Sequence, residues 1–175
     1  MAAMRRIAIV CVGAALFGAV AVSVAATKPA VNTLVFTRHD KSTLSFPHTK
    51  VSCGPTSQGG GGLAIKVHSV PANPKQPYFT VDAILADAVS HPTQKFPNDD
   101  SIFGDPNESV VFVYDASEGN EASNQQEESK GKIVFHKARC NPRPKVSFTI
   151  HGKLGSEFFG VHRIAVDGFY RGRGD

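Results

Sequence analysis

The chain contains no Trp, and only three Cys, three Tyr and two Met among its 175 residues. Each shortage narrows the field. Surfaces that stack on neutral sugars favour flat aromatic rings, so the missing indole leaves only Tyr78, Tyr114 and Tyr170 as platform residues. A chain of this length buries a core without metal or several disulfides, so few Cys are no obstacle to folding. Catalytic signatures are missing too. His39, His48, His68, His91, His136, His151 and His162 form no HxH, HxxxH or HExxH pair, and there is no G-x-S-x-G elbow. The run Gly59–Gly62 leads into Leu63 rather than into Lys-Ser/Thr, which excludes a phosphate-cradling loop. Hydrophobic residues at 41% and charged residues at 19% exclude a wholly disordered chain.

What is present begins with an address. Arg5 and Arg6 precede an uncharged run from Ile7 to Val22, followed by the small residues Ser23, Val24, Ala25 and Ala26. This is the layout of a secretory signal peptide over residues 1–26, cut after Ala25 or Ala26, and it predicts a single exported domain over 27–175. The plain alternative is an uncleaved anchor that holds the protein at the cell surface. Cys11 lies inside the apolar run rather than after it, which argues against a lipidated cysteine. Export changes the charge count. Loss of Arg5 and Arg6 leaves 17 basic against 15 acidic residues, a balance of +2 instead of +4. Loss of Cys11 leaves Cys53 and Cys140, which an oxidising compartment would join as a disulfide.

The mature chain reads as short strands. Leu63, Ile65 and Val67 alternate with Ala64, Lys66 and His68; Val146, Phe148 and Ile150 alternate with Ser147, Thr149 and His151; Ile164 and Val166 alternate with Ala165 and Asp167. Period-two alternation marks a strand with one face in the core. Val110–Tyr114, apolar on both faces, predicts a central strand. Thr33–Thr37, Thr43–Phe46, Phe79–Leu85 and Lys132–Ala138 complete about eight. Asn141-Pro142-Arg143-Pro144 predicts a hairpin loop. The spacing of Val81, Ile84, Leu85, Ala88 and Val89 also fits a helix capped by Thr80, so the strand there is expected to run into a helical turn before Pro92. The fold class is mainly β: one antiparallel β-sandwich, or a barrel-like variant, with long loops at 90–108 and 116–130. The second loop, polar and acidic, is expected to be exposed and mobile.

Three patterns bear on function. Asp99, Asp100, Asp105, Asn107 and Glu108 bring five oxygen-bearing side chains into ten residues, a candidate calcium loop formed chiefly by Asp99, Asp100, Asp105 and Glu108, although the spacing matches no calcium motif and solvated acidic loops are common. Asn107-Glu108-Ser109 is a glycosylation sequon, and Arg173-Gly174-Asp175 an RGD tripeptide of the kind that arises by chance. Charge is split along the chain: Asp82–Glu128 carries eleven acidic residues against Lys95, while Lys130–Asp175 carries ten basic against three acidic. Such a split marks an anionic partner or, as no run of five Lys/Arg occurs, basic strands lying beside acidic loops. Zinc or copper held by His39 and Asp40 with a distant His has no spacing to support it. The leading expectation is a non-catalytic secreted β-sandwich that binds at the cell surface, to an extracellular polymer or to a protein, with no cofactor and no nucleic-acid partner. The alternatives are a hydrolase built on loops, with His39, Asp40 or His91 meeting a Ser or a carboxylate, and a small-ligand or divalent-ion barrel.

Overall fold

The computed structural model describes residues 31–44, 46, 48–56, 62–71, 73, 76–97, 109–117, 119–156 and 163–174. Within them lie twelve strands and one short helix: β1 Val31–Asn32, β2 Val35–Thr37, β3 Thr43–Leu44, β4 Thr49–Pro55, β5 Leu63–Ser69, β6 Tyr78–Ile84, α1 Leu85–Ser90, β7 Thr93–Phe96, β8 Val110–Asp115, β9 Asn120–Ser123, β10 Lys130–Arg139, β11 Lys145–Ser156 and β12 Ile164–Arg173. The expected signal peptide, residues 1–26, lies outside the described residues.

The mainly β reading holds. All pairings are antiparallel, and hydrogen bonding runs as one continuous path, β3-β2-β12-β11-β9-β8-β6-β5-β4, with β10 and β7 added beyond β11. The architecture is a single curled sheet, a half-barrel, in place of two separate sandwich layers. The long strand β11 makes the curl. Its first ten residues pair with β12, and its last two, Gly155 and Ser156, pair with Ser123 and Ala122 of β9. Twelve strands replace the expected eight because several carry weak signals: Gly54-Pro55 ends β4, prolines flank the four-residue β7, and β9 is polar.

The core follows the alternation. Val146, Phe148, Ile150, Ile164 and Val166 are buried, whereas Leu63 is 45% exposed and Ala64 takes its place inside. Phe36, Phe46 and Phe79 pack with ring centroids 4.9–5.2 Å apart, and Phe148 stacks on Tyr170 at 5.3 Å. The Tyr170 hydroxyl meets Thr49 Oγ1 at 3.0 Å, which ties β12 to β4. The central strand β8 lies between β6 and β9 as expected. Strand β6 runs into α1 at Leu85, but Thr80 is a strand residue paired with Phe112, and Ile84 stands at the helix N-cap position without a side-chain hydrogen bond.

Both expected loops need correction. Segment 90–108 contains β7, paired with β10. Segment 116–130 is not a mobile excursion: Asn120, Ala122, Ser123, Asn124 and Ser129 are buried. Its polar side chains stand in for missing ladder bonds. Asn124 accepts from the Val111 N–H at 2.7 Å and donates to the Ser109 carbonyl at 2.8 Å. Ser129 donates to the Ser123 carbonyl and accepts from the Gly155 N–H. Buried polar groups are tolerated when each finds a partner, and a composition argument does not register that.

Two contacts close the structure. Cys53 and Cys140 form the expected disulfide, with Cα atoms 5.9 Å apart and a sequence separation of 87. It joins β4 to the end of β10. The second is an ion pair in which the carboxylate is buried and the guanidinium partly so. Arg38 grips Asp115 through Nε and through Nη2 at 2.9 Å, and Ser117 Oγ donates to the same carboxylate at 2.7 Å. Burial pushes the Asp115 carboxyl up, but the bonds from Arg38 and Ser117 outweigh it and hold its pKa below the ordinary value.

Paired Cys53→Ser/Cys140→Ser substitution is expected to cost roughly 2–5 kcal/mol in denaturant melts, and thiol titration of the unreduced, denatured chain 27–175 should find no free thiol. Arg38→Met is expected to cost about 3–5 kcal/mol by stranding a buried carboxylate. Because the folded-state pKa of Asp115 is depressed, its contribution is complete above the unfolded value of about 3.9 and is lost as pH falls through the folded value. The melting temperature should therefore drop more steeply below about pH 4 in the wild type than in Asp115→Asn.

Candidate functional site

Strands β10, β11 and β12 are adjacent, and their alternation aims every second residue outward. Register makes a grid of those positions. Arg139, Lys145 and Arg173 form one row, and Lys137, Ser147 and Arg171 the next. Thr149 and Phe169 follow, then Lys132, His151 and Asp167, and finally Lys130, Lys153 and Ala165. Lys95 of β7 extends the fourth row beside Lys132. A register shift between Phe135 and Lys137 inserts His136, whose Nε2 lies 3.2 Å from Thr149 Oγ1.

The first two rows frame a groove of about 410 Å³ lined by His136, Lys137, Lys145, Ser147, Arg171, Gly172 and Arg173. The Arg171 guanidinium lies 5.5 Å from the centre of the Phe169 ring, which holds it against the sheet. No carboxylate among the described residues pairs with Lys137, Arg139, Lys145, Arg171 or Arg173. The crowding bears on Lys145: Lys137 first, then partial desolvation and the guanidinium groups of Arg139, Arg173 and Arg171, hold its pKa below the ordinary lysine value. Like charges directly opposite one another weaken a sheet. Arg139, Lys145 and Arg173 break that rule in one row, an arrangement that folding alone does not favour and that an anion would relieve.

The charge split is thus resolved differently at the two ends of the grid. Arg163 pairs with Glu128 at 3.0 Å and His151 with Asp167 at 2.8 Å, so acidic groups do meet basic ones at the far end. At the Arg173 end they do not. The signal that sequence reasoning misses is the i, i+2 spacing of Lys137/Arg139 and Arg171/Arg173: the expected strands stop at Ala138 and Asp167, short of Arg139, Arg171 and Arg173, and a search for contiguous basic runs passes over charges spaced every second residue.

The other sequence candidates fare variously. Asp99, Asp100, Asp105, Asn107 and Glu108 lie outside the described residues. Among the described residues there is no group of three or more His, Cys, Asp or Glu placed to hold a metal. Asp40 turns back on Ser42, accepting from its N–H at 2.8 Å and its hydroxyl at 2.7 Å, and those bonds hold its pKa below the ordinary value. Ser90 Oγ lies 3.1 Å from His91 Nδ1, but the hydroxyl also donates to the Ala86 carbonyl at 2.9 Å, and no carboxylate among the described residues orients the imidazole. Tyr170 is fully buried and is no sugar platform. Tyr78 and Tyr114 are half-buried neighbours on the outer face of β6 and β8, with centroids 5.4 Å apart. Among described residues, no helix is long and apolar enough to cross a membrane.

Set against known protein families, curated proteins and solved structures, the chain matches none.

If Lys137 is the chief source of repulsion at Lys145, Lys137→Gln should raise the Lys145 pKa toward the ordinary lysine value. Titration of the Lys145 Nζ signal by NMR checks this, and an unmoved midpoint would assign the shift elsewhere.

Proposed function

We propose that the protein is an exported, non-catalytic β-protein that binds an anionic extracellular polysaccharide through the outer face of β10, β11 and β12. One observation carries the reading: a grid of cations, set by strand register, without counter-charges among the described residues at its Arg173 end. The Cys53–Cys140 disulfide favours an oxidising compartment, in keeping with the signal-like N-terminus. Ser147 and His136 add hydrogen-bonding groups to the groove, which suits sulfate or carboxylate oxygens on a sugar chain. Arg is suited to planar, two-point contact with such groups, and Lys supplies point charge.

The test is binding of the purified protein to immobilised dextran sulfate and polygalacturonate, with unmodified dextran as control. Retention on both anionic polymers, weakening as salt rises, is expected. Lys137→Gln/Lys145→Gln/Arg171→Gln should lower affinity roughly tenfold, since each exposed ionic contact contributes only modestly, while its melting temperature stays at or above the wild-type value. Equal retention on unmodified dextran, or undiminished binding by the triple variant, would overturn the reading.

A further inference from the structure

Of the outward residues of β11 from Lys145 to Lys153, Ser147 alone is buried, at 8% exposure. Register explains the covering. Its direct partners are Lys137 on β10 and Arg171 on β12, a long side chain on each side of a short one. Neighbouring strands lie about 4.8 Å apart, so a serine between two such chains is the floor of a cup whose walls are cations. All three residues line the groove of about 410 Å³, together with Lys145 and Arg173. The Phe169 ring, 5.5 Å from the Arg171 guanidinium, steadies one wall. The Ser147 hydroxyl has no hydrogen-bond partner among the described residues. A hydroxyl turned away from bulk water without a partner costs stability that a methyl group in its place does not. The fold gains nothing from that hydroxyl, whereas a ligand in the groove can use it.

We propose that Lys137, Ser147 and Arg171 form a cup for one tetrahedral oxyanion, and that this anion is a sulfate ester carried on a sugar chain. This rests on the anionic-polysaccharide reading above and names the group recognised. Three donors meet at the cup: an ammonium from β10, a hydroxyl from the floor and a guanidinium from β12. A sulfate ester presents three terminal oxygens in a pyramid and answers all three. A carboxylate presents two oxygens in one plane, which the two cations satisfy, and the floor hydroxyl is left over. A polar group that one ligand pairs and another leaves unpaired is a source of discrimination between them. Ser147 thus sets the preference for sulfate, while Lys137 and Arg171 attract any anion.

Dextran sulfate and carboxymethyl dextran of matched charge density, titrated calorimetrically at fixed salt, test this, because they share backbone and charge and differ in the shape of the anion. The wild type is expected to bind the sulfated polymer roughly tenfold more tightly, the worth of one hydrogen bond to a charged group. Ser147→Ala should bring the sulfated polymer down to the affinity of the carboxylated one, leave the carboxylated one unchanged, and keep the melting temperature at or above the wild-type value. Equal wild-type affinities for the two polymers, or a sulfate preference that survives Ser147→Ala, would overturn the cup while leaving anionic-polysaccharide binding intact. Tighter binding of phosphorylated dextran than of dextran sulfate, at the same charge density, would overturn the assignment to sulfate. Failure of all three polymers to bind the wild type would overturn the polysaccharide reading and the cup together.

Discussion

The alternation of β11 is the constraint on which the rest depends. Its inward residues Val146, Phe148 and Ile150 enter the core, so Lys145, Ser147, Thr149, His151 and Lys153 must face out. The same strand carries the ladder from β12 on one side to β9 on the other, which turns a long sheet into a curl. A slip of one residue in its register would bury the cations and expose the aromatic core. Core and candidate site are thus two faces of one alternation.

The cationic face is held at some cost to the fold. Arg139, Lys145 and Arg173 lie directly opposite one another, where mixed charges would stabilise. Elsewhere the protein uses its charges differently. Arg38 and Asp115 are joined by several hydrogen bonds in a partly buried site, and Lys66 meets Asp82 at 3.2 Å on the β5–β6 ladder. The tethers at the margins of the curl, Cys53 to Cys140 and Thr49 to Tyr170, supply stability that a repulsive surface does not. The protein pairs charges at Arg38–Asp115, Lys66–Asp82 and Arg163–Glu128 and leaves them opposed at Arg139, Lys145 and Arg173, and the proposed binding role rests on that contrast.

Much of the strand pattern was legible in the chain itself. β5, β8, β10, β11 and β12 announce themselves by alternation or apolar runs, and the β10–β11 hairpin by its prolines. Strand β9 and the segment after it were not legible, because Asn120, Asn124 and Ser129 are buried through specific hydrogen bonds to Ser156, Ser109, Val111, Ser123 and Gly155, and such bonds leave no periodic trace. The candidate site was half legible. Its charges were visible as an excess over Lys130–Asp175, but their convergence depends on which strands are neighbours. Adjacency of β10, β11 and β12 turns separate pairs of Lys and Arg into rows.

The most direct measurement is an amide NMR titration of the isotopically labelled protein with dextran sulfate at fixed salt. Shifts concentrated at Lys137, Lys145, Arg171 and Arg173, and reversed by added salt, are the expected result. Shifts confined to the Tyr78–Tyr114 face, or spread without pattern over the surface, would contradict the assignment of the basic grid as the binding face.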